Sequence, residues 1–168
     1  PAAFAELGPG LQGGTAAVRM GLHQTILRMQ SQITKVASCP VPVIAAVHGW
    51  CIGGGVDLIT ACDIRLAASD ARFSVRETKI AIVADLGTLQ RLPLIVGQGH
   101  ARELAFTGKD LSAERAERMG LVNEVFTDAT ALAAGAAALA AEIAGNAPLT
   151  VRGVKRVLDF GTGRRVAD

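Results

Sequence analysis

From Val36 to Val56 the chain carries no charged side chain, and within that run Val43-Ile-Ala-Ala-Val47 is apolar without a break. Five consecutive apolar residues between Pro42 and Gly49 predict a strand covered on both faces, the condition of a parallel sheet flanked by helices. The run does not suit a bilayer, because Pro40, Pro42, His48 and four glycines interrupt any helix of membrane length. The predicted class is therefore α/β, with no membrane partner.

The 168 residues suffice for one domain with a real core. Half of them are hydrophobic and mean hydropathy is positive, a surplus that points to apolar surface buried against other subunits or further chain. Net charge is +2 with both signs interspersed, so nucleic acid is not an expected partner. A slightly basic surface still suits an anionic, phosphorylated ligand. Cys39, Cys51 and Cys62 lack metal-type pairing, and His23, His48 and His100 are scattered, so no metal site is expected. Unpaired cysteines and no leader pattern at Pro1 predict a reduced, cytoplasmic setting and a processed or truncated amino terminus.

Residues 1–14 read as a loop or frayed end and 15–160 as one core domain, with 161–168 a flexible basic tail. A helix is predicted over Thr15–Ala37, its stripe Val18, Leu22, Ile26, Met29, Ile33 and Val36 facing core or interface. Gly49 to Gly55 is predicted as a turn, followed by a helix from Gly54 to Ala61 and strands over Asp63–Ala67 and around Phe73–Val75. Helices are expected over Thr88–Val96, disturbed by Pro93, and over His100–Phe106. Ser112 caps a short helix that Gly120 stops. A strand over Leu121–Phe126, an alanine-rich helix over Ala129–Ala144 and a last helix over Leu149–Phe160 complete the order.

Gly53-Gly54-Gly55-Val56-Asp57 is where chemistry is expected. Glycines let a ligand approach backbone N–H groups, and those at a helix start favour negative charge. Such a turn can hold a developing oxyanion while carboxylates move protons, so the chain reads as an enzyme working beside a carbonyl. Asp57 is either one of those carboxylates or an acid favoured by the helix dipole. Glu77 stands where a strand becomes a loop, as an active-site group or a solvated surface acid. Asp85, alone in the apolar Ala81–Gly87 loop, is either a proton-transfer group with a raised pKa or an N-cap for the helix near Thr88. Asp63 and Arg65 are expected to pair with each other. A Gly-x-Ser-x-Gly elbow and a phosphate-loop lysine motif are absent from the sequence.

Val43-Ile-Ala-Ala-Val-His-Gly49, Gly53-Gly-Gly-Val-Asp-Leu58 and Ala61-Cys-Asp-Ile-Arg65 resemble the signature of the crotonase superfamily, the enoyl-CoA hydratases and isomerases. The likeness continues through Phe73-Ser-Val-Arg-Glu77, Gly87-Thr-Leu-Gln-Arg-Leu-Pro93 and Ala113-Glu-Arg-Ala-Glu-Arg-Met-Gly-Leu-Val-Asn123, over roughly residues 36–160. The resemblance implies a spiral ββα fold, here without its N-terminal strands and C-terminal helix, and a homotrimer or homohexamer. It implies an acyl-CoA thioester as substrate, with coenzyme A part of that substrate and no separate cofactor. The Gly54 N–H, beside Gly53, would supply one oxyanion amide; the segment that supplies the second has no counterpart in residues 1–35.

Within that family the set Asp57, Glu77 and Asp85 is similar to that of Δ3,5-Δ2,4-dienoyl-CoA isomerases of fatty acid β-oxidation. Shifting a 3,5-diene to 2,4 removes a proton from C2 and returns one to C6, which asks for acids on both sides of an extended chain. Glu77 is then expected at C2 and Asp85 at C6, with Asp57 holding Glu77 or a water. The alternatives are hydration of a 2-enoyl-CoA by Asp57 and Glu77, or a crotonase-like scaffold or RNA binder without catalysis.

Overall fold

The computed structural model describes residues 15–162; the expectations for 1–14 and for the tail beyond Thr162 lie outside them. Two three-stranded sheets organise the chain. The first contains β1 (Ile44–Val47), β3 (Ile64–Ala68) and β6 (Glu124–Phe126) in the order β1-β3-β6, all parallel. The second contains β2 (Trp50–Ile52), β4 (Arg72–Ser74) and β5 (Leu111–Ser112), with β2 parallel and β5 antiparallel to β4. Around them stand α1 (Thr15–Ala37), α2 (Gly54–Thr60), α3 (Thr88–Thr107), α4 (Ala113–Arg118), α5 (Ala129–Ala144) and α6 (Pro148–Gly161), with a 3-10 turn over Glu77–Ile80.

Double-sided burial belongs to the central strand β3, where Leu66 and Ala68 join one apolar cluster with Leu132 of α5 and Ala67 joins the main core. β1 shows it only in part. It is an edge strand, so Val47 is buried and Ile44 and Ala45 half-buried while Ala46 is exposed. Gly49 to Gly55 is not one turn. The chain turns at Gly49 (φ 62°), whose carbonyl accepts the Arg72 N–H at 2.7 Å, and Trp50–Ile52 then begins the second sheet. Three residues are too few for their alternation to announce a strand.

α1 and α5 have the expected bounds. The α1 stripe, however, is nowhere fully buried in this chain. The break in α3 lies at Gly97 (φ 78°, ψ 161°) rather than at Pro93. Ser112 caps α4, its hydroxyl accepting the Arg115 N–H at 3.4 Å. Pro148 opens α6, one residue before the expected Leu149, as suits a residue with no N–H at a first helical position, and Gly161 is the last residue of α6 rather than the first of a tail. In α5, Gly135 lies under the Phe126 ring so closely that an added Cβ would collide with it.

Candidate active site

The three glycines of the triplet do different work. Gly53 adopts φ 54°, ψ −116° as the residue before α2, a conformation other residues avoid. A side chain there would also meet the Glu77 Oε1 at 3.1 Å. Gly55 packs on Cys51, whose Sγ lies 3.2 Å from where a Cβ would sit. Gly54 faces open space, with nothing among the described residues within 4 Å of the corresponding point. As the first residue of α2, its N–H has no acceptor inside the helix. The Gly53 N–H is engaged: it donates to the Ser74 carbonyl at 3.0 Å. Of these two neighbouring amides, that of Gly53 is taken by Ser74 and that of Gly54 has no acceptor within α2.

Asp57 is buried at 1% exposure. Its Oδ1 accepts both the Thr88 N–H at 2.7 Å and the Thr88 hydroxyl at 2.6 Å. It therefore satisfies the start of α3 from 31 positions away, and the distant carboxylate does the capping that was an alternative for Asp85. The expected role of Asp57 is to hold Glu77 or a water; its Oδ1 is taken by this contact with Thr88. Spacing could not have found it, although a threonine directly after Gly87 at a helix start was the available signal.

Glu77 begins the 3-10 turn, which ends at Ala81 in the left-handed region (φ 58°, ψ 33°). The Ile82 N–H donates to the Glu77 carbonyl at 3.0 Å, folding the following loop back. The Glu77 carboxyl lies over Gly53, and its Oε2 is buried with no hydrogen-bond partner among the described residues. Burial raises its pKa above the usual glutamate value, and the charges of Asp57 and Asp85 push it the same way, against backbone hydrogen bonds at Glu77 and Arg76. Asp85 is half-buried, and burial raises its pKa as well; its own backbone N–H opposes the shift and the Asp57 charge adds to it. Asp57 and Asp85 thus both act on Glu77, and Asp57 on Asp85. Among the described residues the acidic partners in ion pairs are Asp63, Glu103 and Asp110, and none of these three.

Asp63 and Arg65 do not pair with each other. Asp63 accepts the Lys155 ammonium at 2.6 Å and the Val43 N–H at 2.7 Å, while Arg65 donates to the carbonyls of Leu121 and Cys62 at 2.7 and 2.8 Å. A cavity of about 630 Å³ lies beside that lysine, against α6 and the end of α5. None of the three acids lines it, so its size does not mark the chemistry. Among the described residues no group of three His, Cys, Asp or Glu side chains could hold a metal ion.

Residues 7–166 match the family model for enoyl-CoA hydratase/isomerase. The chain belongs to that family. Its α/β architecture is crotonase-like. It is 55% identical over 140 residues to the mitochondrial Δ3,5-Δ2,4-dienoyl-CoA isomerase of Dictyostelium discoideum, covering 83% of this chain and 48% of that one. Against the peroxisomal enzyme of that name from Arabidopsis thaliana it is 54% identical over 137 residues, covering 82% and 49%. A Thermobifida fusca YX protein crystallised in complex with acetoacetyl-CoA superposes with a TM-score of 0.82 at 31% identity, over 88% of this chain and 57% of that one. The chain spans about half the length of the isomerases it matches. Those relatives are named mitochondrial and peroxisomal, which overturns the expectation of a cytoplasmic protein: unpaired cysteines describe a reducing compartment, and that does not single out the cytosol.

Proposed function

We propose that this crotonase-family chain carries the acid cluster of a dienoyl-CoA isomerase, converting a 3,5-dienoyl-CoA to the 2,4-isomer in fatty acid β-oxidation. The observation that carries the reading is the Glu77 carboxyl. It has a buried oxygen without a partner among the described residues, lies over Gly53, and feels the charge of Asp85. The relatives named dienoyl-CoA isomerase, at 55% and 54% identity, support the same reaction.

In this reading the thioester oxygen lies near the Gly54 N–H, and the ionised Glu77 takes a proton from C2. The resulting dienolate has its negative charge spread over the thioester oxygen, C2, C4 and C6. The Gly54 amide stabilises the charge on oxygen; loss of one such donor costs about 3 kcal/mol. Asp85, protonated, gives its proton to C6, which forms the 2,4-diene and leaves Asp85 ionised. Exchange with solvent resets both acids. The cycle needs Glu77 deprotonated and Asp85 protonated together, and the raised pKa of Asp85 favours its half of that condition. Asp57 keeps Thr88 and the start of α3 in register and supplies a nearby negative charge.

Acyl-CoA binding is supported by the Thermobifida fusca complex, and coenzyme A arrives as part of the substrate. A homotrimer or homohexamer remains a family-level proposal. Hydration is the weaker reading, because it asks Asp57 and Glu77 to grip one water, whereas an Asp57 oxygen is already held twice by Thr88. The test is the full-length protein with Asp85→Asn, assayed on a 3,5-dienoyl-CoA and on crotonyl-CoA. Isomerisation should fall about 1000-fold with acyl-CoA binding retained. Undiminished isomerisation, or a wild type that hydrates crotonyl-CoA and leaves the diene untouched, refutes the proposal.

A further inference from the structure

We propose that Gln30 is a positioning residue for Asp85, holding the main chain of the acid's loop from outside the catalytic cluster. The inference rests on the isomerase reading above. Asp85 sits between the 3-10 turn and α3, in a stretch whose neighbours Ile82 and Val83 are exposed. Such a loop has no ladder of its own to fix the direction of a side chain. Two long side chains supply what the loop lacks. The Gln30 Nε2 donates to the Asp85 carbonyl at 2.5 Å, and the Arg91 Nη1 donates to the Leu86 carbonyl at 3.3 Å. Gly87 (φ 116°) completes the clamp, since a Cβ there would collide with the Arg91 guanidinium.

The Gln30 bond spans 55 positions and comes from a helix that buries no residue of its own. Among the described residues it is the one side-chain hydrogen bond that ties α1 to another element. It fixes the 85–86 peptide plane, and with it the direction in which the Asp85 side chain leaves the main chain. A C6 proton donor has to meet a carbon far along an extended acyl chain, so a displacement of about 1 Å costs up to about 100-fold in rate. Glu77 hangs from the other end of the loop and does not depend on this bond.

The two acids' jobs can be read separately in the full-length protein. Glu77 alone washes solvent deuterium into C2 of a 3,5-dienoyl-CoA, whereas conversion to the 2,4-isomer needs Asp85 as well. Gln30→Met keeps side-chain length and removes the donor. It should lower the kcat of isomerisation about 10- to 100-fold with KM and C2 exchange unchanged, and it should speed amide hydrogen exchange over residues 84–87 only. Gln30→Glu, which puts an oxygen where the donor stands, should behave alike. Unchanged isomerisation, or an equal fall in isomerisation and C2 exchange, overturns the positioning role. A wild type that fails to isomerise the diene sinks the isomerase reading instead; amide exchange then tests the clamp alone, and unaltered exchange over 84–87 in Gln30→Met overturns it.

Discussion

Two acids that the sequence makes look alike, Glu77 and Asp63, end in opposite circumstances. Asp63 is matched: the buried Lys155 and the Val43 N–H occupy one of its oxygens, beside a cavity of about 630 Å³. Glu77 is unmatched: its neighbours include two more carboxylates, and among the described residues one of its oxygens has no partner. A compensated acid contributes to holding elements together and is poor at moving protons. An uncompensated one weakens the fold locally and has a proton affinity that chemistry can use.

The sharpest break of this contrast is Glu77→Gln in the full-length protein. C2 exchange and isomerisation should both fall about 1000-fold with the fold intact, as circular dichroism would report; retained C2 exchange contradicts the role of Glu77. Lys155→Met should do the reverse. It leaves Asp63 without its cation and should cost about 2 kcal/mol by urea titration, below the range for fully buried pairs because the Asp63 side chain is 27% exposed. Activity per folded molecule should be unchanged.

A smaller effect is expected in the pH dependence of stability. Both Glu77 and Asp85 hold their protons more tightly folded than unfolded. Their favourable contribution is therefore fully present below the ordinary values of 4.5 and 3.8, and is lost as pH rises through the raised ones. Glu77→Gln and Asp85→Asn should each flatten that decline, and urea midpoints measured from pH 4 to 8 would detect it. A steeper decline in either variant would mean that the acids are stabilised rather than strained by their surroundings. The smallest effect belongs to Glu103, an acid matched at the surface by Lys109 and Arg115, which hold its pKa down at about 2. Glu103→Gln should leave the urea midpoint near pH 7 unmoved, because exposed pairs contribute little.

The long periodic segments were readable to the residue, as α1 and α5 show. In α5, alanine and leucine leave the backbone little alternative to helix. The acid cluster was readable as a set, because motif order fixes which acids lie near the glycine turn. Its internal bonding was not. Asp57 meets Thr88 across 31 positions and Gln30 meets Asp85 across 55, and no local preference encodes either contact. β2 stayed hidden for a different reason: its three residues gain strand geometry only by pairing with β4.

The notch that Gly135 cuts for the Phe126 ring bears on how a nearly featureless helix keeps its place. Rows of alanine look the same from every side, so such a helix could rotate or slide by a step at small cost. A single missing methyl lets an aromatic plate from the neighbouring strand drop into one position along its length. The helix thereby acquires an address, and the most repetitive stretch of the protein is seated by the one atom it lacks.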